Sequence, residues 1–255
     1  MELELNCYII LFLVAIFAGG VDAIVGGGGL ITIPALFACG IPPHLALATN
    51  KLQSTFGSFT AVLAYRKSMQ IRRIALGILF TAIGAILGTY SVLLINQDDV
   101  KIIVLICLIL IFLYTIFKPN IGNTQHKAKI STASFQIIFG LLLGFYDGFL
   151  GPGTGSFWIF ACVIFLGFSM KNASINTKIL NFTSNIVALA VFLYSYEVLW
   201  KVGILMGIGQ ILGAFIGSKL VLKTQGIFIK KLFLTIVALT IIKITYDYLV
   251  LKFLE

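Results

Sequence analysis

Two aspartates stand alone in long apolar stretches, and each is followed closely by a run of glycines. Asp22 precedes VGGGGL at 25–30, and Asp147 precedes GPGTGS at 151–156. Each glycine run leads, some twenty residues on, into a polar stretch: ATNKLQST at 48–55 and NTKILNFTSN at 176–185. Taking every third or fourth residue of a helix, Asn50, Gln53 and Ser54 share one face, as do Lys178, Asn181 and Asn185. Lys51 and Lys178 would add positive charge to these amides and hydroxyls. The combination suits binding of a small anion, because helices resuming at Gly29 and Gly155 would point free N–H groups and the positive end of the dipole at it. Gly27, Gly28, Gly29, Gly153, Thr154 and Gly155 would let the ligand approach the backbone. The glycines could instead serve close helix packing, and either lysine could snorkel to the membrane interface. Asp22 and Asp147 could carry protons that couple transport, or cap the N–H groups of the broken helices. A carboxylate beside a bound anion would favour its own protonation.

The elements that must position these residues are membrane helices. Of the 255 residues 60% are hydrophobic and 11% charged, about half the charge of a soluble domain, and the mean hydropathy is +1.08. Charge is missing from 5–21, 23–50, 74–97, 130–146, 148–170, 179–196 and 202–218. Stretches of roughly 17–25 apolar residues are what a helix needs to cross a bilayer. The pattern predicts helices over 6–25, 29–40, 44–65, 74–95, 101–118, 133–150, 155–168, 173–194, 202–221 and 230–250. The segments 29–40 and 155–168 reach only ~20 Å, too short for a ~30 Å hydrocarbon core, and the glycines and prolines before them break the helix. The acidic start MELELNCYII reads as a retained first helix, not a signal peptide.

The chain also repeats itself. At an offset of 125, Gly19, Asp22, Gly26 and Gly28 match Gly144, Asp147, Gly151 and Gly153, and GAILG at 84–88 matches GQILG at 209–213. NKL at 50–52 faces TKI at 177–179, shifted by two. Loop 66–73 holds Arg66, Lys67, Arg72 and Arg73, while its counterpart near 195–201 holds Glu197 and Lys201. One loop later the bias reverses, with Asp98, Asp99 and Lys101 against Lys219, Lys223, Lys230 and Lys231. If basic loops are cytoplasmic, equivalent loops lie on opposite sides. The expectation is an all-α polytopic membrane protein in one domain, 1–255. It has two inverted repeats of about five segments each (1–118 and 133–255), joined by a linker at 119–132, with broken or short helices at 26–40 and 151–168. A count of eight spans, with the two short segments re-entrant and the repeats parallel, is the rival.

Other chemistry is thinly represented. The net charge of +9 falls in short loops and reflects topology, not nucleic-acid binding. Cys7, Cys39, Cys107 and Cys162 are scattered, which gives no metal site and no disulfide framework. His44 and His126 lie near loops, without a partner at metal or nucleophile spacing, so neither an enzyme nor a cofactor is expected. Lys243 and Asp247, four apart, read as an ion pair within the last helix.

The stretches GGGGLITIPALFACGIPPHLALATNKLQSTFGSFTA (26–61), GFYDGFLGPGTGSF (144–157) and KILNFTSN (178–185) resemble the TauE/SafE sulfite exporter family, and within it the YfcA-like branch. The resemblance runs over nearly the whole chain. It implies a bacterial inner-membrane protein that moves sulfite, sulfonates or related sulfur-containing anions, often outward. The expected partners are therefore a small anion and the lipid bilayer, with homodimerisation left open. Export of an anion would draw on the membrane potential, at ~2.3 kcal/mol per charge per 100 mV. Uptake would need coupling, for which Asp22 and Asp147 are the candidates. A passive anion channel of the same architecture is the alternative.

Overall fold

The computed structural model describes residues 3–69, 74–100, 102–104, 106 and 127–223. They form α1 (Leu5–Val25), α2 (Gly29–Ala38), α3 (Pro43–Tyr65), α4 (Ala75–Leu93), α5 (Thr132–Phe149), α6 (Thr154–Leu166), α7 (Met170–Ser195) and α8 (Trp200–Lys223), with no strand among the described residues. Each lies within a few residues of its predicted span. The predicted helix 230–250, with Lys243 and Asp247, falls outside the described residues, as do Arg72, Arg73, Lys230, Lys231, His126 and Cys107. Of the segment 101–118 only 102–104 and 106 are described, all helical.

Helices α1, α4, α5, α7 and α8 are long and apolar enough to cross a membrane. At 23 residues, α3 is equally long, about 35 Å, but more polar. The two short helices, of 10 and 13 residues, are far shorter. The outside of the bundle is apolar: Phe17, Leu79, Leu87, Leu142, Phe215 and Ile216 are exposed, as lipid-facing residues are. The polar side chains of α3 and α7 point inward instead, with Thr49, Asn50, Lys51 and Gln53 buried on one helix and Thr177, Lys178, Asn181 and Asn185 on the other.

Hydrogen bonds between helix ends give each helix its direction. Tyr65 Oη donates to Ala23 O (2.9 Å), so α1 and α3 finish together. Helix α7 starts beside them, with Ser174 Oγ donating to Ile24 O (2.6 Å). It ends where α3 begins, since the Leu199 N–H beyond it donates to Thr49 Oγ1 (3.1 Å). Helices α4 and α5 run alongside one another, joined near their starts by Gly77 N–H to Gln136 Oε1 (2.8 Å) and near their ends by Thr89 Oγ1 to Gly148 O (3.1 Å). Lys171 Nζ, at the start of α7, donates to Leu222 O at the end of α8 (2.8 Å). The start of α3 meets the end of α4, where His44 Nε2 lies 3.0 Å from Val92 O. Thus α1, α3 and α8 run one way, and α4, α5 and α7 the other.

Small residues set the two tightest helix pairs. A Cβ on Gly144 would stand 2.5 Å from Thr81 O, and one on Gly209 would stand 2.9 Å from Phe12 O. Backbone thereby meets backbone between α4 and α5 and between α1 and α8, as small residues spaced four apart permit in lipid. The pair Gly84/Gly88 lies at one of these seams and Gly209/Gly213 at the other.

Candidate functional site

The two helix breaks cross at the centre of the bundle. Helix α1 ends at Gly26, whose positive φ of 68° turns the chain back and whose N–H bonds to Asp22 O. A Cβ on Gly26 would lie 2.5 Å from Gly155 Cα, so glycine is required on both sides of the crossing. Ser156 Oγ ties the second break to the first by donating to Gly26 O and to Val25 O. On the other side of the crossing α6 follows Gly153, which has a φ of 76°.

Around this crossing is a small cavity of about 20 Å³. Asp22, Gly27, Gly28, Gly29, Asn50, Ser54, Asp147, Gly151, Gly153, Thr154, Gly155, Asn181 and Asn185 line it. Most of the residues singled out from sequence therefore meet in one place. Lys51, Lys178 and Gln53 do not line it but stand directly behind those that do. Gln53 Nε2 donates to Asn50 Oδ1 (2.7 Å), which also accepts from Thr32 Oγ1 (2.6 Å).

The lysines do not snorkel. Lys51 is 1% exposed and Lys178 0%. Each is paired with the aspartate of the opposite half. Lys51 Nζ lies 2.8 Å from Asp147 Oδ1, and Lys178 Nζ lies 3.7 Å from Asp22 Oδ2. Charges this far from water persist only with partners, so two lysines and two aspartates leave the centre neutral.

The two pairs differ in quality. Asp147 is buried and also accepts from Ser184 Oγ, while Lys51 Nζ makes a second, 3.4 Å bond to Asn185 Oδ1. Asp147 makes no bond to the N–H groups of its break. Asp22 does: its Oδ1 accepts from Gly27 N–H (3.1 Å) and Gly28 N–H (3.3 Å), and its Oδ2 from Asn181 Nδ2 (3.3 Å). Lys178 Nζ donates in addition to Asp22 O. The side chain of Asp22 keeps 18% of its surface exposed, against 3% for Asp147.

Sequence reasoning missed Ser184 and Thr32, whose roles depend on which helix faces them. It also missed the crossed pairing of the lysines and aspartates. The signal for that was present, since each half carries one aspartate and one lysine at nearly the same offset. His44 takes a packing role, with Nε2 3.0 Å from Val92 O and its ring edge-on to Tyr196. Among the described residues no cluster of His, Cys, Asp or Glu could hold a metal ion.

A multi-span helical bundle with broken helices meeting at a buried, charge-balanced cavity belongs to the class of membrane transporters. The family described as "Sulfite exporter TauE/SafE" matches residues 11–244. This chain is a member of the TauE/SafE family. It is 39% identical over 249 residues to a "Probable membrane transporter protein" of Haemophilus influenzae, covering 97% of this chain and 98% of that one. A relative from Sinorhizobium sp, "Probable membrane transporter protein ORF9", is 41% identical over 248 residues, 96% of this chain and 95% of its own. "Probable membrane transporter protein YfcA" of Escherichia coli K12 is 40% identical over 240 residues, 93% and 89% respectively. No solved structure matches the chain.

Proposed function

We propose that this protein is a secondary transporter of small anions, sulfur oxyanions such as sulfite or short organosulfonates among them. It works chiefly outward, by alternating access between two inverted repeats. The observation that carries this reading is the central cavity, where backbone from both helix breaks and amides from α3 and α7 converge. Such a site offers N–H donors and positive helix ends to an anion at mid-membrane depth.

The repeat relation is supported by helix direction. At the sequence offset of about 125, α1 corresponds to α5, α3 to α7 and α4 to α8. Hydrogen bonds between helix ends support opposite senses for each pair. Charge supports an orientation. One end of the bundle carries Arg66, Lys67, Lys127, Lys129, Lys171, Lys219 and Lys223, and the other Glu4, Asp98, Asp99, Glu197 and Lys201. The basic end is the cytoplasmic one by the usual rule, in the inner membrane of a bacterium.

Alternating access draws support from an asymmetry between the ends. At the basic end a cavity of about 450 Å³ opens beside Ile74, Gln136, Leu166, Asn176, Thr177 and Leu180. At the opposite end the positions equivalent to Gln136 and Leu166 are Leu11 and Ile41, and they are packed shut with Leu36, Ala46, Val202 and Met206. A cavity at one end and apolar packing at the other is the kind of asymmetry that alternating access calls for. Outward movement of each net negative charge gains ~2.3 kcal/mol per 100 mV from an inside-negative potential. Protonation of Asp22 or Asp147 is the candidate coupling step.

The test is flux through purified protein in liposomes, with sulfite, thiosulfate, sulfate, short sulfonates and carboxylates each supplied in turn. Saturable transport of one of these anions is the expected result. Ohmic, non-saturating current would instead establish a passive channel, and absence of flux with every anion would overturn the anion reading.

A further inference from the structure

We propose that the carboxylate of Asp22 is a tethered occupant of the anion subsite, and that the transported anion must displace it. The proposal rests on the reading of the central cavity as an anion site and says which atoms hold the anion. Four donors converge on this carboxylate: the N–H groups of Gly27 and Gly28, the amide of Asn181 and the ammonium of Lys178, at 3.1, 3.3, 3.3 and 3.7 Å. These are long contacts for a charged acceptor, whose hydrogen bonds normally run about 2.7–2.9 Å. The same set of donors fits the two or three oxygens of a sulfite, sulfonate or carboxylate head group. Lys178 is fully buried with Asp22 as its ion-pair partner, so displacing that carboxylate leaves an ammonium that needs another anion.

Volume makes the two occupants exclusive. The cavity of about 20 Å³ holds little more than one water molecule. An oxyanion therefore enters only if Asp22 leaves the cradle. Asp147 cannot play the same part, because its carboxylate is held by Lys51 at 2.8 Å and by Ser184, away from the N–H groups of its own break. The two halves are alike in sequence and unlike in role: one pair is latched, and the other is the exchangeable one.

Charge couples the exchange to a proton. With both pairs formed the centre is neutral, and an added anion makes it negative in a medium where unpaired charge is costly. A proton on the displaced Asp22 removes one negative charge and also lowers the carboxylate's power to compete. The ionisable groups around Asp22 are Lys178 from α7, Tyr65 from α3 and, across the cavity, Lys51 and Asp147. Helix α2 has none, Cys162 of α6 lines the separate cavity at the basic end, and α8 carries its lysines only near its ends. A monoanion then loads without net charge and draws no outward drive from the membrane potential. A dianion still carries one negative charge with it, which the membrane potential can drive outward.

The experiment is equilibrium binding of thiosulfate and of methanesulfonate to detergent-purified protein, from about pH 8 down to about pH 5.5, a range over which both anions and an ordinary carboxylate stay ionised, so that a proton taken up with the anion reports the change that displacement makes around Asp22. Wild-type affinity should rise on acidification, by up to about tenfold per pH unit for one linked proton. Asp22→Asn should bind about tenfold more tightly than wild type near pH 8 and lose the pH dependence, whereas Asp22→Glu should keep it. Weaker binding by Asp22→Asn, or an unchanged pH dependence in it, would overturn the proposal while leaving the anion site standing. Failure of the wild type to bind either anion would remove the underlying reading as well. If Asp22→Asn does not fold, Asp22→Ser decides: it too frees the donors of a tethered carboxylate, so tighter binding near pH 8 without acid dependence is expected, and weaker binding would refute the cradle.

Discussion

Replacing Lys51 with Met removes one partner of a pair that has almost no contact with water. Asp147 would be left 2% exposed, holding only the hydroxyl of Ser184. An uncompensated buried charge of this kind costs about 3–5 kcal/mol. Asp147→Leu should cost a similar amount, because it strands Lys51, 1% exposed, against the amide of Asn185. The double variant strands neither charge, and replacing a whole buried pair by apolar residues is often neutral or stabilising. Its stability should therefore fall within about 1–2 kcal/mol of wild type, a coupling of several kcal/mol between residues 96 positions apart in sequence. The measurement is unfolding in mixed SDS–detergent micelles, followed by tryptophan fluorescence, for the wild type, both single variants and the double. Simple addition of the two single losses would show that Lys51 and Asp147 do not pair across the halves, and would remove the main support for the crossed arrangement. Lys178→Met should be milder, since Asp22 keeps two backbone N–H groups and some contact with solvent.

Gly213→Leu would drive a side chain into the backbone of Ile16 and Gly20, where a Cβ alone already meets Gly20 N at 2.7 Å; loss of most folded protein on size exclusion is expected, whereas Leu142→Val on the lipid face should behave as wild type. Tyr65→Phe removes the bond to Ala23 O and should lower stability by about 1 kcal/mol in the same micelle assay, with anion flux retained. In a cysteine-free background, a single cysteine at Ser68 should react with an impermeant maleimide only from the cytoplasmic side, and one at Gln97 only from outside. Reversal of both would invert the orientation drawn from the charged ends.

How far the sequence could be read depended on what kind of physics set each feature. Helix positions were legible because lipid forbids charge, so the charge-free runs mark the spans almost directly. The breaks were legible because four consecutive glycines at 26–29, and Gly151, Pro152 and Gly153, lie where each glycine costs a helix roughly 1 kcal/mol and each proline roughly 3. The part of the cavity lining that α3 and α7 contribute followed from helical spacing: Asn50 and Ser54, and Asn181 and Asn185, do fall on the inward faces of these helices. The fate of Lys51 and Lys178 was not legible, because snorkelling and pairing differ only in where the neighbouring helices stand. The inequality of Asp22 and Asp147 was also hidden. Their local sequences share the same spacing of aspartate and glycines, and the difference arises from Ser184 and Asn181, contributed by α7 from far along the chain.

Counterflow distinguishes carriage of an anion through the crossing of the two breaks from passive leakage. Liposomes containing the protein are preloaded with an unlabelled anion identified by the flux screen, then diluted into a trace of the same anion labelled with sulfur-35 or carbon-14. A transient overshoot of label above its equilibrium level is expected in the wild type, and none in Lys51→Ala/Lys178→Ala protein that remains monodisperse. Label that rises to equilibrium without overshoot, at a rate that never saturates, would contradict alternating access. An overshoot that survives the double substitution would show that the anion does not depend on the charged centre described here.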